Sequence, residues 1–164
     1  MKRPLEEITR ENFAPFGTLV EQPTEDAHGS GPGWRWWAHL TRLAGGERPY
    51  ALGYLDLQPA PLQFDWAERH LHSDELVIPL GGDCLVYVAP AEHLDQPARA
   101  PSFDQYRVFR VRSGQAVLLK PGVWHGAPLA LDAPLKALVV LLHNTGELDC
   151  HITRFPESPV EIAR

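Results

Sequence analysis

Prolines and glycines interrupt this sequence at short intervals and limit its fold more than any other feature. The chain has 16 prolines and 13 glycines among 164 residues. Both residue types disfavour the interior of an α-helix, so we expect no long helices. Between them lie apolar runs with the length of β-strands, at residues 18–21, 34–40, 50–57, 63–68, 76–79, 84–89, 106–112, 116–120 and 136–143.

Short strands that follow one another about every ten residues are typical of a barrel or jelly roll. We therefore predict one all-β domain over residues 1–164. The Gly-Gly-Asp sequence at 81–83 and the Ser-Gly-Gln sequence at 113–115 predict two tight hairpins. Residues 8–16 predict a short helical turn with Thr9 as its N-cap.

The charge balance argues against a nucleic-acid partner. The formal net charge is −6 and the pI is about 5.7, whereas phosphate backbones are bound by a surplus of Lys and Arg. No stretch approaches the ~20 apolar residues that span a bilayer, and the N-terminus lacks the apolar core of a signal peptide. The two cysteines, Cys84 and Cys150, could form only one disulfide bond, which is too few to stabilise a domain of this size. We therefore expect free thiols and a cytoplasmic location.

His70 and His72 are two residues apart, a spacing that places both imidazoles on one face of a strand. Their nitrogens can then converge on a single metal ion. Glu75 follows closely and offers a carboxylate, although strict alternation requires a bulge or bend to turn it to the same face. A further imidazole comes from His125, which follows a Pro-Gly turn at residues 121–122.

Three histidines and one glutamate form a ligand set that suits Ni, Fe, Mn, Co or Zn, with open positions for a chelating substrate. The same residues leave open a metal-free site, in which His70 or His125 acts as the base. The sequence contains no Gly-rich phosphate loop, Gly-x-Ser-x-Gly elbow or Cys-x-x-Cys pair. We therefore predict a small-molecule site built around these side chains.

The candidate ligands lie in segments that resemble the two motifs of the cupin superfamily. Residues 70–75, His-Leu-His-Ser-Asp-Glu, are similar to the first motif, and Gly114, Pro121 and His125 are similar to the second. The resemblance implies a double-stranded β-helix, which is a jelly-roll barrel of short strands. Together with the predicted helical turn, it gives an all-β fold with a short N-terminal helix.

A closer resemblance, to the ureidoglycolate lyases (formerly ureidoglycolate hydrolases), covers most of the chain. The similar segments are residues 8–17, 68–70, 122–125 and 144–150. That family has a cupin-like barrel, is usually dimeric, and releases urea and glyoxylate from ureidoglycolate in allantoin and purine catabolism. The resemblance implies an amidine-type C–N lyase that forms a homodimer and uses a divalent transition metal, with nickel first and Zn, Mn or Fe as alternatives.

The chain departs from the family's pattern at three positions. The family has a second histidine after Trp-His, where this chain has Gly126. An arginine on the strand before the central motif is missing from the stretch around Leu55, and an arginine-bearing element near the tail is replaced at His143. These departures bear on the substrate rather than on the fold.

The chemistry of ureidoglycolate assigns roles to the candidate residues. Its α-hydroxy acid is a bidentate chelator, so a bound metal can take both oxygens and acidify the hydroxyl before urea leaves. The predicted metal ligands are His70, His72, Glu75 and His125. The predicted catalytic residues are His70, His125 and Lys120, and the predicted substrate-binding residues are Arg69, Arg110 and Trp124.

Two other classes of function stay open, because barrels of this type host many chemistries. One is a different metal-dependent cupin enzyme, such as an isomerase or dioxygenase acting on a small oxoacid or sugar. The other is a non-catalytic cupin that binds a small ligand. Bound metal without urea release favours the first, and tight binding of an α-hydroxy acid without turnover favours the second.

Overall fold

The computed structural model describes residues 1–44, 48–155 and 159–164, and its regular structure is almost entirely strand. The helices are the short α1 (Arg10–Phe13) and α2 (Thr145–Leu148), with one 3₁₀ turn at Phe103–Gln105. None of the helices in these ranges is long and apolar enough to cross a membrane. The strands are β1 (Lys2–Glu7), β2 (Gly17–Val20), β3 (Gly29–Gly31), β4 (Trp34–Trp36), β5 (Tyr50–Leu57), β6 (Gln63–Phe64), β7 (Trp66–Arg69), β8 (Glu75–Leu80), β9 (Cys84–Ala89), β10 (Arg107–Val111), β11 (Ala116–Leu119), β12 (Trp124–His125), β13 (Leu129–Ala130), β14 (Leu135–Leu142), β15 (His151–Arg154) and β16 (Val160–Ala163).

The strands form two curled sheets that pack against each other. The larger sheet has nine strands in the order β15-β7-β12-β9-β10-β1-β16-β6, with β13 also paired to β9. The smaller sheet has five strands in the order β2-β11-β8-β14-β5, and β3 and β4 make a separate pair. The prediction of an all-β, cupin-type fold with a short N-terminal helix is confirmed.

Apolar side chains fill the space between the two sheets. This first core takes Val77 and Val117 from the smaller sheet and Val86, Val88 and Phe109 from the larger one. A helix also contributes to it, because Phe13 of α1 packs edge-on against Phe109 with their ring centroids 5.4 Å apart.

A second core covers the opposite face of the larger sheet and contains Leu85, Tyr87 and Trp124. Side chains of a strand alternate between faces, so Leu85 and Tyr87 of β9 point into this core while Val86 and Val88 point into the first. The larger sheet is therefore apolar on both faces, and only one of them meets the smaller sheet.

The predicted helical turn is present, and its cap explains where it begins. The Thr9 hydroxyl accepts a hydrogen bond from the backbone N–H of Asn12 at 3.2 Å, and the Asn12 side chain accepts one from the N–H of Thr9 at 2.8 Å. This reciprocal pairing satisfies N–H groups that a helix start otherwise leaves without partners.

Both predicted hairpins are wrong, although both turns exist. Gly81 and Gly114 adopt φ values of +79° and +89°, which glycine tolerates without a steric penalty. However, β8 pairs with β11 and β14, and β9 pairs with strands of the other sheet, so each turn carries the chain from one sheet to the other. The Asp83 carboxylate accepts from the N–H of Ser113 at 2.9 Å and so joins the two turns.

The strand bounds agree with the predictions best where the apolar runs are longest. Strands β5 and β9 have the predicted bounds, whereas the run at 63–68 is divided into β6 and β7 and the run at 34–40 shortens to β4. Strand β1 was not predicted, because its Lys-Arg-Pro-Leu-Glu-Glu sequence lacks apolar alternation. It is placed by parallel pairing with β10 on one side and β16 on the other.

Candidate active site

The candidate site lies where the end of β7 meets β12. Glu68 belongs to β7, His70 directly follows this strand, and His125 of β12 stands opposite Glu68 in the strand register. Residues two apart share a face of a strand, so Glu68 and His70 point in the same direction. They face the smaller sheet, where Glu75 begins β8.

These side chains form one cluster of acids and imidazoles. Ligand atoms of Glu68, His70 and His125 all lie within 4.8 Å of one another, an arrangement that can hold a metal ion. Glu75 reaches the same place from the smaller sheet, and its Oε2 lies 3.2 Å from Nε2 of His70 and 3.2 Å from Nε2 of His125. His70, Glu75 and His125 are buried, and Glu68 is partly buried.

Each imidazole is oriented by a backbone carbonyl. Nδ1 of His70 donates to the carbonyl of Asp149 at 2.9 Å, and Nδ1 of His125 donates to the carbonyl of Val123 at 3.0 Å. Because a carbonyl oxygen can only accept, Nδ1 carries the hydrogen in both rings and Nε2 faces the Glu75 carboxylate. The two Nε2 atoms therefore face the same place, and there they can bind a cation or donate protons.

The buried charges alter the acidity of the cluster. Burial works to raise the pKa of Glu75, but the neighbouring imidazoles of His125 and His70 outweigh it and hold this pKa well below its usual range. Burial likewise works to lower the pKa of His125, but the Glu75 carboxylate outweighs it and raises the pKa to about 9. The Glu75 carboxylate is therefore ionised, and the neighbouring imidazoles stabilise its negative charge.

A cavity of about 270 Å³ opens onto the cluster. The residues that line it are Gly53, Tyr54, Leu55, Glu68, His70, Glu75, Ala127, Pro128, Val139, Leu141 and Gly146. Its walls are mostly apolar, and the charged side chains among these lining residues are both carboxylates. Within the described part of the chain, no Lys or Arg lines the cavity.

The structure separates His72 from the cluster. Its side chain is 74% exposed, and its Nδ1 lies 3.2 Å from Oδ1 of Asp149 on the surface side of the loop. The reason is that β7 ends at Arg69 and residues 70–74 bend towards β8, so strand alternation does not extend to His72. Glu75 joins the cluster without the expected bulge, because it begins a new strand in the other sheet.

Glu68 occupies the position in the cluster that was predicted for His72. The Glu68–Arg69–His70 sequence has the same two-residue spacing as the pair of histidines, and here both members do share a face. Applying that rule on the N-terminal side of His70 identifies Glu68. The carboxylate also accepts a hydrogen bond from the Cys150 thiol at 2.9 Å.

Arg69 lies on the opposite face of β7 and does not reach the cavity. Its guanidinium is fully buried and donates to the backbone carbonyls of a single loop, those of Glu92, His93, Gln96 and Pro97, at 2.6 to 3.2 Å. Arg69 therefore holds this loop and does not line the cavity.

The other predicted polar residues also lie elsewhere. Trp124 is buried in the second core, with the guanidinium of Arg69 4.7 Å from its ring centroid. Lys120 is exposed and donates to the carbonyl of Ala14 at 2.7 Å. Arg110 pairs with Asp83 at 2.7 Å on the outside of the larger sheet. None of these side chains lines the cavity.

Of the three departures from the family's pattern, only Leu55 touches the cavity. A Cβ at Gly126 would lie 1.7 Å from the Tyr87 hydroxyl, which occupies the space that a side chain needs. Tyr87 belongs to the second core, so this position is directed away from the cluster. His143 is exposed. The departures therefore alter one wall of the cavity and leave the imidazoles and carboxylates of the cluster in place.

Two curled sheets with a histidine and carboxylate cluster between them define a cupin-type protein. The chain belongs to the ureidoglycolate lyase family, whose model matches residues 2–163. It is similar to the ureidoglycolate lyase of Pseudomonas entomophila, with 29% identity over 96% of this chain and 94% of that protein. It is also similar to that of Azotobacter vinelandii, with 32% identity over 77% of this chain and 76% of that protein.

Solved structures similar to this chain include sugar isomerases. A dTDP sugar isomerase from Desulfovibrio desulfuricans has a TM-score of 0.45 and 20% identity, over 88% of this chain and 87% of that one. A TDP-quinovose 3,4-ketoisomerase from Campylobacter jejuni has a TM-score of 0.45 and 11% identity, over 62% of this chain and 68% of that one.

The contacts of Arg69 predict that its replacement by lysine destabilises the protein without a selective loss of substrate affinity. The ammonium group of lysine cannot replace the planar guanidinium with its several N–H donors, so several of the loop's carbonyls lose their donor. We expect Arg69→Lys to lower the free energy of unfolding by about 2–4 kcal/mol, as measured by guanidinium denaturation. Arg112→Lys, at an exposed ion pair, is the control and should change it by less than about 0.5 kcal/mol. A raised KM with unchanged stability would instead support substrate binding by Arg69.

Proposed function

We propose that this protein cleaves ureidoglycolate to glyoxylate and urea, as an amidine-type C–N lyase of allantoin and purine catabolism. The observation that carries the proposal is the cluster of Glu68, His70 and His125 with Glu75, which lies beside a small cavity. The chain that holds this cluster matches the ureidoglycolate lyase model over residues 2–163. Relatives named ureidoglycolate lyase that align with most of the chain support it.

The donor set fits a divalent transition metal. Imidazole and carboxylate ligands suit nickel, zinc, manganese and iron, and both imidazoles have their second nitrogen fixed by a backbone carbonyl, as is usual for metal ligands. We propose that Glu68, His70 and His125 hold the ion, with nickel as the first candidate and Zn, Mn or Fe as alternatives. When bound, such an ion acts as a Lewis acid that makes a coordinated hydroxyl more acidic.

The charges around the cavity support a cationic cluster. Ureidoglycolate is an anion, and the charged side chains that line the cavity are the carboxylates of Glu68 and Glu75. An anion binds beside them only where positive charge offsets theirs. Since no described lining residue is Lys or Arg, this charge has to lie on the cluster itself, in a bound ion or in protonated imidazoles.

Glu75 is placed to move the proton that the reaction requires. One carbon of ureidoglycolate bears the hydroxyl, the carboxylate and the urea nitrogen. Cleavage turns the C–O bond into the C=O of glyoxylate, sends the C–N electron pair to the urea nitrogen, and moves one proton from oxygen to nitrogen. A single carboxylate can serve both ends of this transfer, so we assign it to the Glu75 Oε2 between the two imidazoles.

The proton transfer predicts that Glu75→Gln removes most of the activity while the fold is kept. The amide has the shape of the carboxylate but cannot accept the hydroxyl proton, so kcat should fall by about 10²–10⁴-fold. The measurement is urea release from racemic ureidoglycolate. Glu161→Gln, at an exposed ion pair with Lys2, is the matched control and should keep the activity. A Glu75→Gln enzyme within threefold of the wild type contradicts the assignment.

The proposed ligand set predicts different results for two histidines in the same loop. His70→Ala should abolish stoichiometric metal binding, because it removes a ligand from the cluster. His72→Ala should leave the metal content unchanged, because this imidazole lies on the surface. Elemental analysis of the purified variants measures both. Equal loss of metal from the two variants would contradict the ligand set, and bound metal without urea release would favour another metal-dependent enzyme.

We also propose that the protein is a cytoplasmic homodimer. The Cys150 thiol donates to Glu68, so the site needs reduced sulfur, which suits a reducing compartment.

The outer face of the smaller sheet exposes large apolar side chains, with Leu52 66% and Tyr54 62% exposed on β5 and Leu80 40% exposed on β8. Apolar patches of this kind are typical of contact surfaces, and a second copy of the chain is the occupant that the family resemblance implies.

The proposed dimer contact predicts that a charge at Leu52 separates the two copies. We expect Leu52→Glu to elute as a monomer in size-exclusion chromatography with light scattering, because burial of an unpaired carboxylate in the contact is costly. Ile152→Glu introduces the same charge at a residue 58% exposed on the larger sheet, and this variant should remain dimeric. A monomeric wild type, or dissociation of both variants, contradicts the proposed surface.

A further inference from the structure

Asp149 is a buried acid at the junction between α2 and β15. Its residue exposure is 3%, and its carboxylate has no Lys or Arg partner among the described residues. It instead accepts from the backbone N–H groups of Leu71 at 2.9 Å and His72 at 2.7 Å, and from Nδ1 of His72 at 3.2 Å. Burying a carboxylate is costly unless donors surround it, so these contacts fix the loop that follows His70 against the junction.

The main chain of the same residue contacts the cluster directly. The carbonyl oxygen of Asp149 accepts from Nδ1 of His70 at 2.9 Å and sets the direction of Nε2. Asp149 therefore holds His70 in two ways, through the ring and through the backbone of the residues that follow it. A shift of the junction would move both contacts together.

The next residue contacts another member of the cluster. The Cys150 thiol donates to Oε2 of Glu68 at 2.9 Å. The Glu68 carboxylate can only accept, so the thiol is the donor in this contact. Adjacent residues thus orient Glu68 and His70, two of the three members of the group that can hold a metal.

We propose that Asp149 and Cys150 are positioning residues that set the metal affinity of the cluster by orienting His70 and Glu68. The inference rests on the metal site of the proposed function. Partners behind metal ligands restrict their rotamers, and losing such a partner typically weakens metal binding by about 10–100-fold. The Asp149–Cys150 junction provides both partners from one short stretch of chain, so the order of this stretch determines the geometry of the site.

The test is a titration of the metal-depleted full-length protein with Co²⁺, read from its visible absorption spectrum. We expect Cys150→Ala and Asp149→Asn each to weaken Co²⁺ binding by about tenfold or more and to change the spectrum. Cys150→Ser keeps a hydroxyl donor for Glu68, so its affinity should lie within threefold of the wild type. Asp132→Asn, at an exposed pair with Arg164, is the matched control and should bind as the wild type does.

Thermal unfolding of each variant separates loss of fold from loss of positioning. If Asp149→Asn does not fold, the Cys150→Ala and Cys150→Ser pair still carries the test. Wild-type affinity in every folded variant overturns the inference, as does equal weakening by alanine and serine at residue 150 or a wild type that binds no Co²⁺. If the affinities change as expected but the wild type releases no urea, the positioning role holds and the proposed reaction fails.

Discussion

The alternation of side chains along β7 is the constraint on which the site depends. Glu68 and the following His70 face the smaller sheet, whereas Ala67 and Arg69 face the second core. Because β12 pairs with β7 at Glu68, the same alternation places His125 beside the acid and Trp124 beneath Arg69. One strand of four residues therefore positions the candidate site on one face and, through Arg69, holds the loop of residues 92–97 on the other.

Opposite charges explain why acids and imidazoles can be buried together in the cluster. The Glu75 carboxylate raises the pKa of the His125 imidazole beside it, so each group stabilises the charge of the other. In the proposed metal site, a divalent cation would offset the charges of Glu68 and Glu75. The ion would then leave no net charge in the interior, where an uncompensated charge is very costly.

The sequence predicted the fold better than the details of the site, and the reason is physical. Strands β5 and β9 were predicted with the bounds that the structure has, because a long apolar run between two turns can form few secondary structures other than a strand. The hairpins were wrong because a glycine turn specifies that the chain reverses, but not which sheet the next strand joins. The rule that placed His72 with His70 needs extended backbone between the two residues, and the chain bends after β7 ends at Arg69. The same rule applied from His70 back along β7 identifies Glu68.

The apolar residue at position 55 has a consequence for how an anionic substrate is held. Leu55 lines the cavity from the smaller sheet, so a substrate carboxylate would meet no cation there, and the proposed mechanism binds it at the cluster. The hydroxyl and the carboxylate of ureidoglycolate share one carbon, so binding the carboxylate at the cluster also brings the hydroxyl to Glu75. In the proposed mechanism, the groups that bind this substrate are therefore also the groups that transform it. In a cavity of this kind, a change in the cluster alters ground-state binding and the barrier together, whereas a separate arginine would let the two vary independently.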